Sequence, residues 1–183
     1  GSRVMAVAGT HGKSTTTGWV AWLLSEAGMD PSFIAGGLLL DFGTNAHAGE
    51  GKAFVIEADE YDHAFLGLSP EVGVITNVEH DHPDCYPTPE DFRTAFQAFA
   101  ERIERQMIVC VDDPGAASLS GPAERVTYGL DPKADWRAEE IRPNSAGGSD
   151  FLALHSGVLL GLVRTRLPGL HNVRNALASL AMS

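Results

Sequence analysis

The 183 residues are enough for one domain with its own core, and 44% hydrophobic with 20% charged residues is typical of a soluble globular protein. The formal net charge of -11 argues against nucleic acid and against an anionic membrane surface as partners, and the sequence shows no membrane-spanning run. The two cysteines, Cys85 and Cys110, predict no disulfide framework and fit a reducing cytoplasm.

The first apolar run, residues 4–8, ends in a segment that combines glycines, a lysine and hydroxyls. That segment is Gly9, Thr10, His11, Gly12, Lys13, Ser14 and Thr15. The order predicts a strand, a phosphate-binding loop and a helix, with Lys13 reaching the terminal phosphates and Ser14 helping to hold Mg²⁺. The loop is shorter than the general Walker pattern, because position 7 is valine and Gly9 stands three residues before Gly12. An ordinary βα turn is the alternative interpretation.

Apolar runs and helical patterns then alternate along the chain. A helix is predicted to follow the loop and to end near Gly28, and residues 31–51 are predicted to be loop or short strands. Residues 53–56, 72–75 and 107–111 are predicted to be buried strands.

A second helix is predicted after Thr88, where Pro89 takes the first helical position and Asp91 completes a capping box. Its predicted apolar face is Phe92, Ala95, Phe96, Phe99 and Ile103. Strands that alternate with amphipathic helices predict an α/β fold, with a mostly parallel sheet of the P-loop type flanked by helices.

The pattern changes beyond Gly121. Turns and a polar gap at 143–150, which we expect to be mobile, precede a hairpin formed by residues 151–154 and 158–167. The hairpin predicts a small antiparallel extension, and residues 167–178 predict a turn that leads into a last helix.

Polar segments follow three of the predicted strands, and ligands of parallel sheets bind at the carboxyl ends of the strands. These segments are residues 57–60, 77–82 and 112–113, and we expect them to meet the glycine loop at one edge. Glu57 follows four apolar residues, where a carboxylate is costly to bury unless a cation such as Mg²⁺ accompanies it. Spacing alone leaves Asp59 and Glu60 open as alternatives.

Two further groups of side chains have ligand chemistry. His63, His80, His82 and Cys85 include zinc-binding atom types, but their spacing matches no common zinc pattern and the oxygen-rich surroundings favour a hard cation. In the motif that begins at His171, Asn172 and Asn175 bring two amides to one helical face, and an amide matches the N6/N7 edge of adenine. Alternatively, Asn172 is an N-cap.

Four segments together resemble the Mur ligases, the ATP-dependent amide-forming enzymes of peptidoglycan precursor synthesis. They are residues 9–17, 57–62, 76–82 and 169–175. The motifs are most similar to the type that adds L-alanine to UDP-N-acetylmuramate. Tyr61 resembles the residue at this position in the recycling type, which attaches the tripeptide L-Ala-γ-D-Glu-meso-diaminopimelate. The segment 62–76, however, is too short to contain the extra residues of that type.

The resemblance implies a role for each candidate residue. Lys13, Glu57 and His82 would be catalytic; Lys13 would contact the β- and γ-phosphates, and residues 9–15 would form the phosphate loop. Ser14 and Glu57 would hold a first Mg²⁺, and His82 a second metal near the γ-phosphate. His171, Asn172 and Asn175 would surround the adenine of ATP. The carbamylated lysine of some members has no counterpart, since no lysine occurs between Lys52 and Lys133.

The resemblance also implies that residues 1–183 are the central ATP-binding domain of a cytoplasmic enzyme, incomplete at its C-terminal end. The N-terminal UDP-binding domain and the C-terminal domain would be partners from the same parent chain, so we expect this chain alone to bind nucleotide weakly and not to ligate. Two other classes are weighed beside this prediction: a P-loop NTPase that acts as a switch, and a binding module without catalysis.

Overall fold

The computed structural model describes residues 3–183, within which ten strands form a single sheet in the order β10-β9-β8-β7-β6-β5-β1-β4-β2-β3. The strands are β1 (Arg3–Ala8), β2 (Ser32–Leu39), β3 (Thr44–His47), β4 (Ala53–Glu57), β5 (Val72–Ile75), β6 (Gln106–Cys110), β7 (Glu124–Gly129), β8 (Trp136–Pro143), β9 (Ser149–His155) and β10 (Val158–Arg164). The helices are α1 (Lys13–Glu26), α2 (Pro89–Ala100), α3 (Pro114–Ala117) and α4 (Leu170–Met182), with a short 3-10 segment at Tyr61–Gly67.

The parallel part of the sheet confirms the predicted α/β fold. Strand β1 lies between β4 and β5 and runs parallel to both, so that Val7 pairs with Glu57 on one side and with Val74 on the other. Strand β2 extends this parallel part beyond β4, and β3 pairs with β2 in the antiparallel direction. The weakly patterned region 31–51 therefore holds two strands, one of them eight residues long.

Helix ends follow the sequence signals closely. Thr88 and Asp91 form the predicted capping box at the start of α2. Helix α1 ends at Glu26 with Ala27 as its C-cap, so Gly28, the predicted cap, lies one residue beyond the observed cap, with a φ of +74° that favours glycine. Helix α4 has Gly169 as its N-cap, so the interpretation of Asn172 as an N-cap is wrong.

Aromatic packing holds the 3-10 segment against α2. The ring of Phe65 lies 5.0 Å from that of Phe99 and 5.1 Å from that of Phe96, and all three side chains are fully buried. Such ring pairs add to the free energy gained by burying the apolar surface. Because the segment follows β4 directly, this cluster fixes the chain just after the strand that carries Glu57.

The antiparallel extension contains more structure than the sequence predicted. Strands β9 and β10 confirm the hairpin, but β8 pairs antiparallel with β9 and parallel with β7, and neither β7 nor β8 was predicted. The expected polar gap at 143–150 is instead the ends of β8 and β9 with the turn between them. The Asn144 amide organises this turn, since its nitrogen donates to Asp150 at 2.9 Å and its oxygen accepts from the Gly148 N–H at 3.0 Å. None of the helices in residues 3–183 has the length and apolar character needed to span a bilayer.

Candidate nucleotide-binding site

The glycine loop joins β1 to α1, and its two glycines have conformations and neighbours that exclude a side chain. Gly9 has a φ of +136° and Gly12 a φ of +85°. A Cβ on Gly9 would lie 1.9 Å from Oγ1 of Thr76, and one on Gly12 would lie 2.5 Å from Oδ1 of Asn175. Gly12 is also the N-cap of α1, so the first N–H groups of the helix are free of side-chain capping by that residue.

The segment after β5 braces this loop. Asn77 Oδ1 accepts a hydrogen bond from the His11 N–H at 2.8 Å, and the Thr76 hydroxyl donates to the His11 carbonyl at 2.7 Å. Thr10 exchanges two hydrogen bonds with the backbone of Glu79, at 2.8 and 3.0 Å. The predicted meeting of these two segments is therefore present, and the first half of the 76–82 motif serves to hold the loop in shape.

Ser14 and Glu57 lie together beside an open depression of about 300 Å³, which is lined by residues 10–15 and Glu57. The Ser14 hydroxyl donates to Oε1 of Glu57 at 3.0 Å, and the Gly36 N–H donates to Oε2 at 2.6 Å. A carboxylate and a hydroxyl side by side are hard oxygen donors of the kind that Mg²⁺ prefers. The donor set at the depression thus fits a magnesium ion.

Lys13 and His82 meet on a third residue, Glu60. The carboxylate of Glu60 is fully buried, with Lys13 Nζ 2.9 Å from Oε1 and 2.8 Å from Oε2 and His82 Nε2 3.6 Å from Oε1. The contact with Oε1 is a hydrogen bond, whereas Oε2 has no aligned donor among the described residues. The sequence left Glu60 as one of several open alternatives and did not predict that it joins these two side chains.

His82 has a left-handed backbone, with a φ of +54°, which is uncommon for a residue other than glycine. The edge of the Tyr61 ring lies against the imidazole, with 5.2 Å between ring centres. A hydrogen bond from the Tyr61 hydroxyl to Asp84 raises the pKa of Tyr61 to about 12, with the charge of Asp84 adding to the effect. Tyr61 therefore stays protonated at neutral pH and packs beside His82.

The other side chains considered as zinc ligands, His63, His80 and Cys85, contact other residues of the protein. His80 Nε2 lies 2.8 Å from the Tyr86 carbonyl, and the His63 ring packs edge-on against the Tyr86 ring. Burial raises the pKa of Tyr86 to about 12, and its hydroxyl donates to the Glu60 carbonyl. Cys85 contacts Asp84. Across residues 3–183, no group of three or more His, Cys, Asp or Glu side chains is placed to hold a metal ion, so a zinc site from this set is not supported.

The start of α4 lies beside the glycine loop. Asn175 is buried and faces Gly12, and its amide nitrogen is 3.5 Å from Oδ1 of Asn172. The Asn172 amide donates to the Pro168 carbonyl at 2.7 Å, whereas His171 is exposed. Asn175 therefore lies against the phosphate loop, and Asn172 lies beside Asn175.

Asp112 and Asp113, expected at the same edge, are used within the protein. Asp112 accepts from Arg174 Nε at 2.6 Å and from the Leu130 N–H at 2.8 Å. Asp113 caps α3, accepting the Ala116 N–H at 2.7 Å. Their lone pairs are committed to protein donors, and we assign them a structural role.

A glycine loop between a central parallel strand and a helix, with lysine and serine at the helix start, defines the class of P-loop-type nucleotide-binding domains. Residues 7–183 match the family model for the Mur ligase middle domain, and the chain belongs to this family.

Relatives named for their activity refine this class. The UDP-N-acetylmuramate--L-alanine ligase of Xylella fastidiosa (strain 9a5c) is 46% identical over 185 residues, which cover 97% of this chain and 38% of that protein. The UDP-N-acetylmuramate-alanine ligase of Thermotoga maritima superposes with a TM-score of 0.84 at 30% identity, over 98% of this chain and 40% of that one. The UDP-N-acetylmuramate:L-alanyl-gamma-D-glutamyl-meso-diaminopimelate ligase of Neisseria meningitides superposes with a TM-score of 0.86 at 30% identity. This match covers 99% of this chain and 60% of that one. The chain spans between a third and about two-fifths of the length of the curated relatives it matches.

Proposed function

We propose that this chain is the ATP-binding domain of a cytoplasmic ligase that joins L-alanine to UDP-N-acetylmuramate. The observation that carries the proposal is the clustering of Lys13, the Ser14–Glu57 pair and His82 around one phosphate loop. The relatives of this name and the family match support the choice of reaction. Domains elsewhere in the parent protein would bind the UDP group and close over the site, so we expect this chain alone to bind nucleotide weakly and not to ligate.

The residues at the loop have complementary roles toward ATP. The N–H groups of residues 9–15 and the Lys13 ammonium would bind the phosphates, and His171, Asn172 and Asn175 would surround the adenine. Ser14 and Glu57 would hold a first Mg²⁺, and His82 would hold a second metal near the γ-phosphate. When bound, Mg²⁺ neutralises charge on the phosphates and orients them for transfer.

The proposed reaction has two steps. The lactyl carboxylate of the sugar nucleotide attacks the γ-phosphorus, which forms an acyl phosphate and releases ADP. The amine of alanine then attacks the acyl carbon through a tetrahedral intermediate, and the amide forms as phosphate leaves and the nitrogen loses a proton. Lys13 stabilises negative charge on the transferring group, and the fixed loop positions it in line with the carboxylate. Closure by the other domains would exclude water from the acyl phosphate.

A tripeptide ligase is the second candidate. Tyr61 favours it, because this residue matches that type and contacts His82 in the site. The experiment is to supply the full-length protein with UDP-N-acetylmuramate, ATP, Mg²⁺ and either L-alanine or the tripeptide, and to identify the product by its mass. An alanine adduct supports the main proposal, and a tripeptide adduct alone would replace it with the second.

Phosphate release separates a ligase from a P-loop switch. A ligase releases phosphate only when both the sugar nucleotide and the amino substrate are present, whereas a switch hydrolyses ATP regardless of them. Release that is indifferent to both substrates would overturn the ligase proposal.

A non-catalytic binding module is a further alternative, and Lys13→Ala in the full-length protein tests it. The variant would leave activity unchanged only if that class were correct.

A further inference from the structure

Glu60 is a fully buried carboxylate that the proposed reaction does not use. Its side chain has 0% exposure; the Lys13 ammonium lies at 2.8 and 2.9 Å from its two oxygens, and the His82 imidazole lies at 3.6 Å. A buried carboxylate is costly unless a cation accompanies it. Phe65, five residues after Glu60, packs against Phe96 and Phe99, and this packing fixes the segment that follows Glu60.

Contacts within the protein involve all three donors of the Lys13 ammonium. Its ammonium donates to the Gly9 carbonyl at 2.8 Å, to Glu60 Oε1 at 2.9 Å and to the Thr10 carbonyl at 3.4 Å. An ammonium has three protons to donate. For Lys13 to bind a phosphate oxygen, at least one of these three contacts has to open.

We propose that Glu60 is a positioning residue that holds Lys13 within the loop and competes with the phosphates of the nucleotide for it. The inference rests on the proposed function and deepens it. The carboxylate keeps Lys13 and His82 on one anchor, which orders the site before substrates arrive. The same negative charge opposes a polyphosphate bound through Lys13, since like charges repel strongly where water is scarce. Glu60 therefore lowers nucleotide affinity and raises the rate of the reaction.

The test is Glu60→Gln in the full-length protein. The substitution keeps the size of the side chain and one oxygen that can accept from Lys13, but it removes the charge. We expect the dissociation constant for a non-hydrolysable ATP analogue, measured by calorimetry, to fall on the order of tenfold. We expect kcat to fall about tenfold, because a neutral acceptor holds Lys13 and His82 less firmly.

Glu26→Gln is the matched control. Glu26 is exposed at the opposite end of α1 from Lys13, so the change removes one carboxylate charge without touching Lys13 or its contacts. The dissociation constant for the ATP analogue and kcat should both match those of the wild type. Should Glu60→Gln fail to fold by circular dichroism, Glu60→Met provides the same measurement, since it fills the buried site with a neutral side chain of similar length.

The outcomes separate this inference from the proposed function. Tighter nucleotide binding together with slower turnover supports Glu60 as a competitor that positions Lys13. A purely structural role for Glu60 predicts that the variant binds the nucleotide more weakly and also turns over more slowly. That result, or an unchanged affinity, would overturn the inference. The proposed nucleotide site would still stand if the wild-type protein binds the nucleotide. Absence of nucleotide binding by the wild type would overturn the proposed function and the inference with it.

Discussion

Two pairs of carboxylates follow parallel strands in this molecule and look alike in the sequence. Glu57 is the last residue of β4 and Glu60 follows it, and Asp112 and Asp113 come after β6. Asp112 accepts from Arg174 and from the N–H groups of the loop after β7, and Asp113 caps a helix.

Glu57 and Glu60 have a different set of partners. Glu57 accepts from the Ser14 hydroxyl and the Gly36 N–H, and Glu60 contacts the side chains of Lys13 and His82. All but one of these partners are side chains of proposed ligand-binding residues. Position after a strand therefore does not identify a carboxylate of the candidate site. Glu57 and Glu60 differ from the other pair because they contact side chains that are proposed to bind the ligand.

Glu57→Gln should produce the largest effect. If Glu57 holds Mg²⁺ beside the phosphates, ligation by the full-length protein should slow on the order of a thousandfold, because a neutral amide is a poor ligand for a hard cation. The free energy of unfolding, measured in urea, should change by no more than about 1 kcal/mol, since the amide oxygen still accepts from Ser14 or Gly36. Wild-type ligation by this variant would remove Glu57 from the site.

Lys13→Met should combine loss of activity with loss of stability. Without the ammonium, the buried Glu60 carboxylate has lost its close cation, and we expect a destabilisation on the order of 3 kcal/mol. Adding Glu60→Gln should restore most of that stability without restoring ligation. The measurement is the urea midpoint of the two variants, and an unchanged midpoint for Lys13→Met would show that Glu60 does not need the pairing.

Asp112→Asn should act on stability alone. The amide places N–H donors against Arg174 and the backbone N–H of Leu130, so we expect a loss of about 2 kcal/mol in the free energy of unfolding. Ligation per folded molecule should stay within about twofold of the wild type, and Asp41→Asn on an exposed turn should change neither quantity. A selective loss of ligation in Asp112→Asn would place this carboxylate in the active site after all.

Asp150→Asn should have the smallest effect on stability, and that effect should depend on pH. Hydrogen bonds from Arg164 and Asn144 lower the pKa of Asp150 to about 2, below its value of about 3.9 in an unfolded chain. Its contribution to stability is therefore present above about pH 4 and is lost as the pH falls toward 2. We expect urea unfolding to show that wild type exceeds Asp150→Asn in stability at pH 7 and that the difference narrows below pH 4; a constant difference would contradict the shift.

Local signals made the glycine loop, the buried strands and the capping box of α2 predictable. Each depends on residues within a few positions of one another, such as Thr88 and Asp91. The fold class followed from their alternation. The meeting of the loop with Asn77 was also predictable, because parallel strands deliver their carboxyl ends to one edge.

Apart from the meeting of the strand ends at one edge, the particular side-chain contacts between distant segments were not predictable. Glu60 is 47 positions from Lys13, and its burial depends on where α2 holds the segment that follows it. Strand β8 has no clear alternation of apolar and polar residues and owes its strand conformation to pairing with β9. Asp113 caps a helix through a backbone N–H, and Asp112 combines a backbone N–H with the side chain of Arg174, 62 positions away; neither partner can be identified from the residues around these aspartates.

The neighbourhood of Gly12 and Asn175 also has a consequence for how the protein is made. The helix that supports the nucleotide loop is encoded some 160 codons after it, and the Ser179 hydroxyl reaches back to the Thr16 carbonyl at 3.4 Å, a separation of 163 residues. On the ribosome, the loop would emerge early and wait for α4 before its surroundings are complete. ATP should therefore gain its binding site only late in translation, and a nascent chain stalled before residue 170 should not retain nucleotide.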